Sequence, residues 1–128
     1  MAKLINRQVI EVILKYIDQT EKTVEFFGAD FKAFVTNDIY FNALSMEVFQ
    51  IAENSIDLSD DVKFVLGEIP WRAIRGMRNW FAHRYGSMNP ADIWEVVNGD
   101  LPSLKLAFNK LLTDDSEILD LVANGRNK

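Results

Sequence analysis

Apolar residues stand at Leu4, Ile5, Val9, Val12, Ile13, Tyr16, Ile17, Thr20, Val24 and Phe27. Steps of three and four place these positions on one side of a helix, and Gly28 supplies its stop. A second long helix follows through about Ile56, opened by Asp30 or by Asn37, with Ile39, Tyr40, Ala43, Leu44, Met46, Val48, Ile51 and Ala52 as its buried positions. Ser59-Asp60-Asp61 opens a short third helix, with Ser59 as N-cap and both acids near the positive end of the helix dipole; Gly67 closes it. Pro70 suits the first turn of a helix that runs from Trp71 to about Tyr85 and ends at Gly86. Asn89-Pro90-Ala91-Asp92 starts the next, which extends over residues 93–112; Gly99 and Pro102 predict a kink or short break near residues 98–101. A last short helix covers residues 116–122, ahead of a polar tail at 124–128 that is expected to fray. No run alternates with period two long enough to make a strand. Short connections imply antiparallel neighbours. The expected fold is therefore all-α, an up-and-down antiparallel bundle of four main helices with short appended helices, forming one domain over residues 1–123.

Composition agrees with a globular chain: of 128 residues, 48% are hydrophobic and 26% charged, which sets aside disorder and fibrous repeats. Such a length buries a sufficient core without staples, and cysteine is absent. That excludes disulfide scaffolds, thiolate nucleophiles, iron–sulfur clusters and cysteine zinc sites, and it suits a reducing cytoplasm. Met1-Ala2-Lys3-Leu4 opens no apolar leader, and charges or amides interrupt every apolar run before a membrane-spanning length of about 18 residues. The expected setting is cytoplasmic, with no membrane contact.

Charge alters this picture. The net charge is −5, yet residues 69–91 hold Arg72, Arg75, Arg78 and Arg84 and none of the nineteen acids, a local +4 that leaves −9 elsewhere. Four of the six arginines and the only histidine, His83, share this one segment. On a helix advancing about 100° per residue, Trp80, Ala73, Met77, Phe81 and Ile74 fall within an arc of about 120° and form its buried stripe. Arg75, Asn79, Arg72 and His83 fall within about 80° of one another on the opposite side, and Arg78 lies about 60° beyond Arg75, at the edge of the stripe. Arg78 and His83, five residues apart, diverge by about 140°. One straight helix cannot aim both at one small target; loosening of the helix or a second copy of the chain would be needed.

A neutral imidazole can take the proton of a ribose 2′-hydroxyl near neutral pH while guanidinium groups hold the phosphate and stabilise charge developing on its oxygens. This is metal-independent RNA cleavage. It would make His83 the general base or acid and Arg78 the phosphate clamp; Asn79, four residues before His83, would orient the ring or the substrate. Arg72, Arg75 and Arg84 would bind substrate. An ion-paired or merely solvated helix face is the alternative that the pattern alone leaves open.

The stretch Ile69-Pro70-Trp71-Arg72-Ala73-Ile74-Arg75-Gly76-Met77-Arg78-Asn79-Trp80-Phe81-Ala82-His83-Arg84-Tyr85 resembles the signature of HepT-like proteins in the HEPN superfamily. It holds the superfamily's Arg, polar residue, x-x-x, His core as Arg78-Asn79 and His83, and the HepT extension in which Tyr85 follows the histidine by two. Residues 49–54 resemble the family's second-helix segment, although Ala52 and Asn54 depart from the usual neighbours of Glu53; residues 93–94 and 100–104 resemble its later helix. The likeness spans about residues 38–112. It implies an all-helical homodimer whose Arg and His motifs meet in a cleft between subunits, acting as an endoribonuclease toxin of a type VII-like toxin–antitoxin pair. It further implies an MntA-type nucleotidyltransferase antitoxin, which transfers AMP from ATP onto the tyrosine of the His-x-Tyr motif, here Tyr85. New phosphate charge beside the arginines would occupy the place of the substrate backbone. Neither a metal nor a cofactor is implied.

Several residues keep a structural alternative. Trp71, Trp80 and Trp94 can be core or dimer-contact aromatics instead of platforms for bases. Glu53 can support catalysis or simply pair with an arginine of the motif helix. Tyr85 can be a packing residue next to Gly86, while Tyr16, Tyr40 and Phe41 are assigned to the core. The pairs Asp60-Asp61 and Asp114-Asp115 read as helix caps and lack the further oxygen ligands of a magnesium site. At the level of function the rival is a non-catalytic subunit that binds a nucleotidyltransferase; such relatives lack the Arg and His pair that this chain retains.

Overall fold

The computed structural model describes residues 4–83 and 89–123, apart from the side chains of Ala82 and His83. Its elements are α-helices α1 (Asn6–Phe27), α2 (Phe31–Thr36), α3 (Asp38–Ser55), α4 (Asp60–Val65), α5 (Trp71–His83), α6 (Pro90–Glu95) and α7 (Leu101–Thr113), with a π-helical turn over Val96–Asp100 and a 3₁₀ turn over Glu117–Asp120. The architecture is all-α. Among the described residues the sole β-type pairing is an isolated antiparallel bridge between Ile5 and Val122.

The first turn after α1 explains the layout. Gly28 takes φ of 105°, a left-handed conformation that costs glycine nothing, and its amide still donates to the Val24 carbonyl at 2.8 Å. The reversed chain offers the Gly28 carbonyl to the Tyr40 hydroxyl at 3.0 Å, and Phe27 stacks on Tyr40 with ring centroids 4.7 Å apart. Both proposed caps operate. Asp30 caps α2 by accepting from the Lys32 amide, and Asn37 caps α3 by accepting from Ile39 and Tyr40. The expected second long helix is thus two helices, because two good caps stand seven residues apart.

Helix α3 runs antiparallel to α1, with Thr23 donating to Glu47 at 2.8 Å, and α7 runs antiparallel to α1 on another side, with Lys105 bonded to Glu21 at 2.9 Å. Helix α5 packs antiparallel on α3. Val9, Ile10, Ile13, Ile17, Leu44, Val48, Ile51, Leu104 and Phe108 fill the space between these helices and are buried. Ile39 and Met46, expected inside, are exposed instead, as are Leu4 and Val12. The apolar arcs of α1 and α3 are wider than their neighbours cover, and the excess faces outward.

Pro102 enters a helix that does not break. The chain passes from α6 into α7 through the π-helical turn, where the Leu101 amide reaches back five residues to the Val96 carbonyl. The wider turn accommodates the proline ring without ending the helix. At the far end Asp114 is the C-cap residue of α7 and Asp115 takes φ of 49°. Asp114 is thus a cap, as expected, though at the end of the helix dipole that disfavours acids, and cations offset both: Lys110 pairs with Asp114 at 3.3 Å and Arg7 with Asp115 at 2.8 Å.

Ser59 stands in the N-cap position of α4 but makes no capping bond. Its hydroxyl accepts from the Asn6 amide at 2.8 Å, and its backbone N–H donates to Asn6 Oδ1 at 3.0 Å. The same Asn6 Nδ2 donates to the Ile118 carbonyl at 2.8 Å. A fully buried asparagine thus joins the start of α1, the start of α4 and the C-terminal 3₁₀ turn. The tail at 124–128 and the expected helix end at Gly86 lie outside the described residues. No helix among the described residues is long and apolar enough to cross a membrane.

Candidate nucleic-acid interface

Helix α5 is continuous through His83 and turns its buried side toward α3. Ile74 and Met77 are buried at its centre, and Phe81 packs edge-on against Phe49 of α3 at 5.3 Å. The buried arc is therefore narrower than the expected stripe and shifted toward Ile74. Ala73 is exposed and Trp80 retains 37% of its surface. These two border a groove of about 270 Å³ toward α6, rimmed by Asp92, Glu95 and Asp100. The groove stays open because α6 stands off from that edge of α5. The other tryptophans are packed: Trp71 donates its indole N–H to the Leu66 carbonyl at 3.0 Å, and Trp94 stacks on Phe34 at 5.3 Å.

This rotation of α5 places Arg78 beside α3. Its Nε donates to Glu53 Oε2 at 3.2 Å, and the pair is graded in exposure, with 42% of the arginine side chain and 17% of the glutamate side chain accessible. The Glu53 carboxylate thus anchors one edge of the guanidinium while its outer edge remains open to a ligand. A half-exposed ion pair contributes about 0.2–1 kcal/mol to stability, so its main consequence is orientation.

Arg72, Arg75 and Asn79 are exposed on the outer side of the same helix, within one arc as expected. His83 is the last described residue of α5, and the helix does not loosen before it. On an unbroken helix the backbone directions of Arg78 and His83 differ by about 140°. One copy therefore brings together Arg78 with Glu53, and Arg72 with Arg75 and Asn79, while its backbone sets out Arg78 and His83 in divergent directions. The His83 side chain, Arg84 and Tyr85 lie outside the described residues.

One cation at this face had no signal in the sequence. Lys63 of α4 lines a depression shared with Arg75, Trp71 and Ile74 of α5 and with Ser55 and Ile56 at the end of α3. Burial holds the Lys63 ammonium below its ordinary pKa, the nearby Arg75 lowers it further, and the attraction of Asp60 and Asp57 does not restore it. Burial in the same region raises Asp57, against the pull of Lys63. In the sequence Lys63 follows two aspartates and lies outside the acid-free segment, so it reads as a neutralised surface residue. Only the packing of α4 against α5 brings it to Arg75. Among the described residues no group of three or more histidine, aspartate or glutamate side chains converges as a metal site would require.

The pattern of the family described as "Ribonuclease HepT-like" matches residues 13–111, most of the chain and all of the α3–α5 pair. The chain belongs to the HepT-like ribonuclease family. A Thermococcus cleftensis relative named "Probable ribonuclease HepT" is 39% identical over 61 residues, covering 48% of this chain and 56% of that protein, so this likeness spans little more than half of the relative. Two proteins provisionally named as RNases align over longer stretches. One, from Methanocaldococcus jannaschii, is 24% identical over 77% of this chain and 92% of its own length. The other, from Caldanaerobacter subterraneus, is 26% identical over 76% of this chain and 91% of its own length. No solved structure matches the chain significantly. The HepT-like assignment agrees with the all-α architecture and with the signature stretch on α5.

Proposed function

We propose that this HepT-like chain is a metal-independent endoribonuclease toxin that works as a homodimer in the cytoplasm, with each cleft pairing Arg78 of one copy with His83 of the other. The observation that carries the reading is the Arg78–Glu53 pair, which leaves one edge of a positioned guanidinium open on an exposed cationic helix face. Family membership gives that face its substrate class. The unbroken course of α5 through His83 favours a two-copy cleft, since a single copy holds the two residues on divergent directions.

In the proposed reaction, neutral His83 accepts the proton of a ribose 2′-hydroxyl. The freed oxygen attacks the adjacent phosphorus, the bond from phosphorus to the 5′ oxygen breaks, and that oxygen takes a proton from water. The products are a 2′,3′-cyclic phosphate and a 5′-hydroxyl, and the imidazolium returns its proton to solvent. Arg78 stabilises the charge gathered on the phosphoryl oxygens, Asn79 orients the ring or the ribose, and Arg72, Arg75 and Arg84 hold flanking phosphates. Glu53 fixes Arg78. An MntA-type nucleotidyltransferase antitoxin silences the site: the Tyr85 hydroxyl attacks the α-phosphate of ATP, AMP is joined to the tyrosine, and pyrophosphate leaves. The added phosphate then competes for the arginines.

The test is cleavage of total cellular RNA by purified protein in EDTA, with the product ends mapped. Wild type is expected to leave 2′,3′-cyclic phosphates, while Arg78→Ala and His83→Ala each lose activity by at least about 10²-fold without loss of helical content. Activity retained by both variants would remove these residues from the reaction. A folded wild-type dimer that cuts nothing would instead favour a subunit whose role is to bind the nucleotidyltransferase.

A further inference from the structure

The depression between α3, α4 and α5 has a volume of about 10 Å³, room for no more than about one water molecule, so it is not itself a ligand pocket. Its importance lies in its rim. Ile56, Trp71 and Ile74 give it an apolar floor, lined also by the two cations Lys63 and Arg75. Neither cation makes an ion pair among the described residues. The groups acting on the Lys63 ammonium are Arg75 from α5, Asp60 from its own helix and Asp57 from the preceding turn. The two acids do not offset burial and the neighbouring guanidinium. Two cations from two different helices thus line one depression, and among the described residues neither is drawn into an ion pair, an arrangement that an incoming anion relieves.

The position of this pair defines the anion. Arg75 precedes Arg78 by three residues, about 4.5 Å along the helix axis and about 60° around it, so the two guanidinium groups are neighbours on one side of α5. We propose that Lys63 and Arg75 form a second phosphate-binding station, which takes the RNA backbone phosphate next to the one clamped by Arg78. The strand then leaves α5 across α4, and the phosphate track extends beyond the acid-free arginine segment. This inference rests on the RNA-cleaving reading and deepens it by adding a binding residue from a different element.

The experiment measures binding of a labelled single-stranded RNA of about 20 nucleotides by fluorescence anisotropy, over about 0.05–0.3 M KCl. Full-length His83→Ala protein serves as parent so that the RNA stays intact. Into it are placed Lys63→Met, which keeps an apolar stem on the floor, and Lys63→Arg, which keeps the charge; thermal melting checks that each is folded. Lys63→Met is expected to raise Kd about fivefold at 0.1 M salt and to reduce the slope of log K against log salt by about 0.7, the loss of one phosphate contact on a single strand. Lys63→Arg is expected to preserve both, as is Lys22→Met, toward the end of α1 away from α4. A Lys63→Met protein with the parent's Kd and slope, where Arg75→Gln lowers both affinity and slope, would overturn the station. If the parent binds no RNA, the RNA reading itself fails and takes the station with it. That outcome is distinguishable because every variant then shows no binding at any salt concentration.

Discussion

At the scale of single residues, two glutamates on α3 show how one side chain type serves opposite ends. Glu53 is partly covered and faces Arg78, so its charge is compensated and its position is useful. Glu47 is set against α1, where burial raises its pKa and the Thr23 hydroxyl, donating at 2.8 Å, only partly counters this. Its Oε1 is buried with no hydrogen-bond partner among the described residues. A carboxyl group whose folded pKa exceeds its unfolded value contributes stability below the unfolded pKa, and that contribution is lost as pH rises through the folded pKa. At neutral pH Glu47 is therefore a destabilising charge. Glu47→Gln keeps an acceptor for Thr23 and removes the charge, so it should raise Tm by about 2–5 °C at pH 7.5, the gain shrinking toward pH 4. Melting curves at the two pH values check this; an equal gain at both would show that packing, and not ionisation, decides it.

Secondary-structure elements were legible in the sequence wherever their cause is local. The apolar spacing of α1, the glycine that stops it, the Asp30 and Asn37 caps and the Pro102 disturbance all act within a few residues. What could not be read depends on which elements meet. Trp80 and Ala73 share the apolar arc of α5 with Met77, but α6 does not close over them. Arg78 was readable as a candidate clamp, its pairing with Glu53 only as one of two alternatives, and Lys63 not at all. Asn6 is the strongest case, since nothing around it in sequence predicts a fully buried amide bonded 53 and 112 residues away. Its loss leaves a backbone N–H, a hydroxyl and a carbonyl without their partner. Asn6→Ala should therefore cost about 2–4 kcal/mol in urea unfolding and loosen α4 and the C-terminal 3₁₀ turn together. A cost below about 1 kcal/mol would mean that water replaces the amide. Because α4 carries Lys63, the same change should disturb the proposed RNA-binding face at Lys63 before it disturbs Arg78.

At the scale of the whole molecule, the proposed RNA-cleaving role asks an acidic chain to gather cations, and Lys63, Arg75 and Arg78 lie where α3, α4 and α5 meet, with Glu53 paired to Arg78 and Asp57 and Asp60 acting on Lys63. In the proposed site an isolated copy would be insufficient, because the backbone of α5 directs Arg78 and His83 about 140° apart. In the proposed homodimer a twofold pair of copies would form two equivalent clefts, each with an arginine from one chain and a histidine from the other. Arg78→Ala and His83→Ala proteins should each be inactive alone, yet a mixture allowed to exchange subunits should recover activity. In a mixed dimer one cleft receives the intact Arg78 of one chain and the intact His83 of the other, while the second cleft receives both substitutions. With random exchange about half of the dimers are mixed and each has one working cleft, so about a quarter of the wild-type rate is expected. Native mass spectrometry would confirm that mixed dimers form. Mixed dimers without recovered cleavage would place Arg78 and His83 in the same chain's site, and would require α5 to rearrange near His83 when RNA binds.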